Sequence, residues 1–422
     1  MKSKTQQQNI PSGWRNASID DICYVTKGQG LSKKDIDPSG KNKCILYGEL
    51  FTTYDEVIKN VKKRTNSSEG IPSVTGDILI PGSTTTVARD LAVASALNEN
   101  GVLLGGDINI LRKKDDFYEP NFLAYYLTHY KKDEIGKLGQ GTTIVHLYGS
   151  NIKDLEVVIP KNIKEQQKIA EILRTVDEYI AKTQEVIEIT EKLKRGLMQQ
   201  LFARGIGYTK FKETRIGQIP ESWDIEKIGD HTTHVGSGAT PRGGSKVYLT
   251  EGVPFIRSQN VYFEGLIQGD LVYISEQTHK EMSRSRTFPN DVLLNITGAS
   301  IGRACVIPID LLDANVNQHV CIIRPSKNLL YKYLFYFLQS ENGQNQIFKF
   351  QIGGNREGLN FQQIRSIELP FPKDIKKQEQ IADILSAVDK KILVNNKLKE
   401  KLTLLKKGLI QDLLSGKVRT NI

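Results

Sequence analysis

The chain states one pattern twice, about 212 residues apart, and this repeat limits the fold more than any other feature. Pro160 to Gly205 and Pro372 to Lys417 read as two long helices. They share Ile163/Ile375, Gln166/Gln378, Ile169/Ile381, Ala170/Ala382, Leu173/Leu385, Val176-Asp177/Val388-Asp389, Leu193/Leu405, Gly196/Gly408, Leu197/Leu409 and Leu201/Leu413. Fainter echoes precede each helix. Ile10-Pro11-Ser-Gly-Trp14 answers Ile219-Pro220-Glu-Ser-Trp223, and Gly76-Asp77 answers Asn290-Asp291. Each half is thus a globular region of about 150 residues followed by a helix of about 40, a size that fits two modules better than one core. Between these anchors the halves disagree, as expected of one scaffold carrying two sets of loops.

The expected architecture is mixed α/β (α+β) in each module. Short β-branched runs bounded by turn residues predict strands at Asp77 to Pro81, Gly106 to Leu111, Leu155 to Pro160, Asp291 to Ile296, Ala304 to Pro308, Val320 to Arg324 and Ile367 to Pro370. Asn121 to Tyr130 and Leu329 to Gln339 predict aromatic-rich amphipathic helices at matching places. The expected segments are a first globular domain over 1–157, a long-helix region over 158–205, a second globular domain over 206–370 and a second long-helix region over 371–422.

A heptad stripe runs along both long helices. In the first it comprises Ile169, Leu173, Val176, Ile180, Thr183, Ile187 and Leu197; in the second, Ile381, Leu385, Val388, Ile392, Asn395, Leu402 and Leu409. At about 1.5 Å per residue, 40 residues make a rod of roughly 60 Å whose apolar stripe needs a cover. The other copy is the natural one, in an antiparallel coiled coil with internal pseudo-two-fold symmetry, the modules at opposite ends. Thr183 and Asn395 fall at equivalent positions of the seam, where a polar residue fixes register. The alternative is that each helix folds against its own module.

The net charge is +10, concentrated between Lys27 and Arg64 and in the arginines of the second module, as suits a polyanion partner. Four cysteines without paired close spacing and no 18-residue apolar run point to a reducing cytoplasm and away from a membrane. Met1 to Asn9 has a basic start with no apolar stretch behind it and reads as a frayed end. Chemistry-bearing motifs are absent: there is no G-x-x-x-x-G-K-[ST], H-E-x-x-H, G-x-S-x-G or E-x-K, and His231 and His234 lack the neighbours of a zinc site. No catalytic residue and no metal site is expected. Gly139 to Thr143, with Thr142 and nearby His146, and Gly353-Gly354-Asn355-Arg356 read equally as phosphate-gripping loops or as tight connections needing positive φ.

The motifs E/K-Q-x-x-I-A-x-I-L-x-x-V-D at Glu165 to Asp177 and Lys377 to Asp389, the closures at Leu193 to Leu201 and Leu405 to Leu413, the I-P-x-x-W pairs and G-S-G-A-T-P followed by V-P-F-I-R-S carry a resemblance. The chain resembles the DNA-specificity subunit of type I restriction-modification systems over essentially its whole length. The resemblance implies two target recognition domains, each reading one half of a bipartite asymmetric site in double-stranded DNA. It also implies helices that dock two methyltransferase subunits, with translocase-nuclease subunits in the full complex. The chain itself would be non-catalytic and hold no cofactor; S-adenosylmethionine, ATP and Mg belong on the partner subunits. The competing reading is a coiled-coil adaptor without DNA specificity.

Base reading in the major groove uses Arg or Lys against guanine, Asn or Gln against adenine, and apolar groups against thymine methyl. The candidate DNA-binding residues of the first module are Lys33, Lys34, Lys43, Tyr47, Thr52, Thr53, Tyr54, Arg64, Arg89 and Thr142. Those of the second are Arg242, Lys246, Arg257, Ser258, Gln259, Asn260, Arg284, Arg286, Arg303 and Arg356.

Overall fold

A computed structural model describes residues 10–311, 313–351 and 358–421. The expected frayed end at Met1 to Asn9 and the loop Gly353 to Arg356 lie outside these described residues. The chain forms two compact units that cut across the four consecutive segments expected: residues 1–183 with 398–422, and residues 184–397. Each unit therefore combines one module with the start of the helix that follows it and the end of the other helix.

The two modules share a topology. In the first, one antiparallel sheet runs Cys23–Lys27, Ile108–Lys113, Asp77–Pro81, Ser95–Leu97, with Val57–Ile58 added in parallel at its edge. In the second, the matching order is Thr232–Ser237, Val320–Pro325, Val292–Asn295, Ala304–Val306. A smaller sheet follows in each, and both are built on one parallel pair: Asn42–Ile45 with Leu103–Leu104, and Val253–Ile256 with Ala314–Val316. Trp14–Ser18 pairs with Glu156–Pro160, and Asp224–Lys227 with Glu368–Phe371, closing each module at the root of its helix. The strand expected from Gly106 starts only at Ile108, because Asp107 is left-handed at φ 60° and cannot continue a ladder.

The repeated residues acquire physical reasons. Asp77 and Asp291 are each about 1% exposed; they take bidentate bonds from Arg112 and Arg324, and their Oδ2 atoms accept from the backbone N–H of Val74 and Phe288. Gln166 and Gln378 are fully buried. Gln166 accepts from Glu119 N–H at 2.8 Å and donates to Pro160 C=O at 2.8 Å, and Gln378 accepts from Leu330 N–H at 2.8 Å and donates to Pro372 C=O at 3.0 Å. Each glutamine thereby ties its long helix to the start of the aromatic helix of its module.

The long helices run Ile163–Arg204 and Ile375–Leu414. In the first unit Ile169, Ala170 and Leu173 share a core with Leu413 and Leu414; in the second, Ile381, Ala382 and Leu385 share one with Leu201 and Phe202. In both, the beginning of one helix meets the end of the other, so the pairing is antiparallel. The module contributes to the cover as well: Phe122 and Tyr126 pack into the first core, Tyr333 and Phe337 into the second. Lys406 bridges Asp177 at 2.6 Å and Lys194 bridges Asp389 at 2.6 Å, while Tyr125 and Tyr336 donate to the same two carboxylates. Val176, Thr183 and Ile187 of the stripe are buried, whereas Ile180, Leu197, Val388, Ile392, Asn395, Leu402 and Leu409 are half-buried. Thr183 Oγ1 donates to Tyr179 C=O and Asn395 Nδ2 to Lys391 C=O, so both polar seam residues spend these bonds on their own helix.

Both helices end on a glycine in the left-handed region, Gly205 at φ 60° and Gly416 at φ 73°. A Cβ at Gly205 would stand 2.7 Å from Trp223, and one at Gly416 would stand 3.0 Å from Trp14. The tryptophan of each I-P-x-x-W motif is therefore a cap on the last turn of a long helix.

Candidate nucleic-acid interface

In the first module, four loops converge beyond the ends of the sheets. They follow Cys23–Lys27, Asn42–Ile45 and Asp77–Pro81, and precede Ile108–Lys113. They enclose a groove of two adjoining basins of about 990 and 690 Å³ that share Tyr47, Gly48, Thr52 and Asp107. Lys27, Lys33 and Lys63 line one basin; Thr84 to Thr86, Lys132, Ile144 and His146 line the other. Gly28 lets the first loop enter: a Cβ there would lie 2.0 Å from the carbonyl oxygen of Gly105, and the equivalent Gly238 would meet that of Val316 at 1.6 Å.

Equivalent loops meet in the second module through side chains. Thr240 donates to Gln318, Thr297 bonds His319 Nδ1, and Asn295 Nδ2 donates to Ser258 C=O at 2.8 Å. Arg242 and Lys246 are exposed on the loop that follows Thr240, and Arg303 lies over the Tyr262 ring at 4.8 Å.

The groove collects only part of the expected pool. Lys33, Tyr47 and Thr52 line it, and Thr53 adjoins through a contact between the two threonine hydroxyls. Lys34 and Thr142 are exposed on flanking loops, as is Arg284 in the second module. Lys43 pairs with Glu99 at 2.6 Å, Arg89 with Asp133 at 2.7 Å, and Arg286 forks onto Asp313 at 2.7 and 2.6 Å. Arg64 donates to the carbonyls of Gly40 and Lys41, and Arg257 and Gln259 both donate to Asp270. Two residues leave the pool. Tyr54 packs against the core around Ile45 and Leu79, with its hydroxyl accepting from Lys62 N–H. Asn260 is fully buried, accepting from Arg257 N–H and donating to the carbonyls of Ile267 and Asp270. Polar residue type predicted reading; turn closure used the same groups. Arg356 lies outside the described residues.

Sequence reasoning missed Ser83 to Thr86, Asp107, Lys132 and Ile144. Most are small or lone residues, Lys132 sits in a Lys-Lys-Asp-Glu run of mixed sign, and only the loop crossing brings them together. The groove is not uniformly basic. Burial pushes the Glu49 carboxyl up, against the pull of Leu46 N–H and Lys63. Burial also works to raise Asp107, but bonds from Lys27 and Ser83 outweigh it and hold that carboxyl below its ordinary range. Among the described residues, no group of three or more His, Cys, Asp or Glu side chains is placed to hold a metal ion, and no helix is long and apolar enough to cross a membrane.

Two copies of one mixed α/β module, each ending in a loop-built groove or mouth and joined to long helices, define a duplicated recognition protein. Residues 11–191 and 220–404 both match the family model described as type I restriction modification DNA specificity domain, and the chain belongs to that family. It is 26% identical over 421 residues to the type I restriction enzyme MjaVIII specificity subunit of Methanocaldococcus jannaschii, covering 97% of this chain and 94% of the relative. It is 22% identical over 418 residues to the EcoBI specificity subunit of Escherichia coli, covering 92% and 83%. The crystal structure of the type I restriction-modification S subunit from M. genitalium superposes with a TM-score of 0.64 at 18% identity, over the full length of both chains.

Proposed function

We propose that this chain is the non-catalytic subunit that selects the DNA sequence for a type I restriction-modification complex, each module reading one half of a bipartite, asymmetric site. The observation that carries this reading is a sheet topology used twice with different side chains on its loops. The first module carries Lys33, Tyr47, Thr52 and Asp107 on these loops, and the second carries Thr240, Arg242, Gln318 and His319 on its own. Two different half-sites need such a difference, and an adaptor that holds two partners does not. In this reading the long helices dock two methyltransferase subunits, and translocase-nuclease subunits join the full complex. The partners hold S-adenosylmethionine, ATP and Mg, and the assembly works on double-stranded DNA in the cytoplasm.

Exposed cations on such loops grip phosphate regardless of sequence. Replacing Arg242 and Lys246 together with alanine is expected to weaken binding to all duplexes alike and to reduce the slope of log affinity against log salt by about 2. Binding of the methyltransferase subunit should stay intact. Titrations at several salt concentrations, with partner pull-down in parallel, decide it; lost partner binding with unchanged DNA affinity would reverse the roles given to loops and helices. Mapping of methylated sites in the source cell, with and without the gene, should show two fixed half-sites around an unread gap.

A further inference from the structure

A carboxylate lies on the floor of the first-module groove, at a place that the scaffold duplicates with different chemistry. Asp107 borders both basins, and its side chain is 35% exposed. Gly82 N–H donates to its carbonyl at 2.6 Å, as Ile296 N–H donates to that of His319 at 3.0 Å in the second module. Each side chain also meets the hydroxyl of the facing loop: Ser83 Oγ donates to Asp107 Oδ2 at 3.0 Å, and Thr297 Oγ1 stands 2.5 Å from His319 Nδ1. The position is thus the same twice, once as an acceptor and once as an imidazole.

Three features set Asp107 apart from a structural aspartate. Its backbone is left-handed, φ 60°, a state that among the described non-glycine residues only Asn290 shares, and such outliers point to function. The carboxylate repels phosphate, in a groove whose lysines suit it, so its role there is not a backbone grip. Lys27 at 2.9 Å and Ser83 occupy only part of its acceptor capacity of about four sites. Asp107 lines both basins of the groove, and the major-groove donors that its remaining capacity could take are the exocyclic amino groups of cytosine and adenine.

We infer that Asp107 sets specificity in the first half-site by accepting a hydrogen bond from the exocyclic amino group of one cytosine or adenine. The inference rests on the DNA-reading function proposed above. Its test is selection of bound duplexes from a randomised library, using the full chain, Asp107→Gly, Asp107→His and Lys27→Gln. Glycine accepts the left-handed backbone without strain, and histidine is among the residues that tolerate it best. The parent should require an amino-bearing base at one position of one half-site. Asp107→Gly should relax that position about tenfold or more while binding unrelated duplexes at least as well, because a negative charge has gone. Asp107→His, which imports the side chain of the second module, should move the preference to another base. Lys27→Gln, which removes a groove cation, should weaken binding to all duplexes. The other half-site should not change in any variant. Parental base preferences retained in Asp107→Gly, an even loss across all sequences, or a preference lost only together with cooperative melting would each overturn the assignment. A parent that selects no sequence at all would instead overturn the DNA-reading function beneath it.

Discussion

Lys406→Met is expected to lower the stability of the first unit by about 3 kcal/mol, since it strips the cation from carboxylates that stay partly buried. Lys406 reaches Asp177 at 2.6 Å and Glu56 at 3.6 Å, and His129 bonds Glu56 from the other side. Burial works to raise the Glu56 carboxyl, but His129 and Lys406 outweigh it and bring its pKa down to about 2. A depressed carboxylate adds stability that is present above its unfolded value near 4.5 and is lost as pH falls through the folded value. The first unit should therefore weaken between about pH 4.5 and pH 2, by roughly 3 kcal/mol in all. In Lys406→Met the part of that acid-sensitive stability which Lys406 supplies should be gone at neutral pH already, and the part from His129 should remain. Hydrogen exchange should locate the loss, with amides of residues 398–414 and of the module opening together. Unchanged protection across 398–414 would mean that the ion cluster does not hold this helix to its module.

Removing either capping tryptophan should cost about 4 kcal/mol, the range of a large aromatic truncated in a packed core. Trp223 is 1% exposed and meets Tyr208 edge-on at 5.6 Å; Trp14 is 4% exposed. Trp14→Ala should destabilise the first unit and Trp223→Ala the second, each leaving the other close to its parental stability. Thermal unfolding followed by exchange of the two units separately would show it. Gly205→Ala adds an independent test of the cap. It places a Cβ in a left-handed backbone, 2.7 Å from the Trp223 and Tyr208 rings, and should lower the stability of the second unit by more than 1 kcal/mol. Equal loss from both units on either tryptophan substitution would deny that the caps are local.

The legible part of this protein was its symmetry. Gln166/Gln378, Asp177/Asp389 and the two tryptophans recur because each closes the same contact twice, and a contact made twice leaves its residues aligned in a single sequence. Heptad spacing announced the helices, and the internal repeat their antiparallel pairing. It did not announce that Ile169, Leu173 and Leu413 enter a module core, because periodicity reports a buried face without naming its cover. The groove was the less legible part. Residue type pointed to Lys33 and Tyr47 but equally to Tyr54 and Asn260, which close a core and a turn. Asp107 carried no signal as an acid among basic neighbours. Its place depends on a left-handed backbone and on the crossing of loops 24 residues apart in the chain.

The composition of the first unit sets a timetable for synthesis. Its module and the start of its helix emerge early, up to Thr183, but Leu409, Leu413 and Leu414, which complete its core, lie beyond the whole of the second unit. The second unit is continuous from Gln184 to Lys397 and can close as it is made. During translation the later-made half therefore reaches its full core first. The earlier-made half waits with the Ile169 and Leu173 stripe covered by its own module but still lacking Leu413 and Leu414, so its core stays incomplete until the last turns of the second long helix are made.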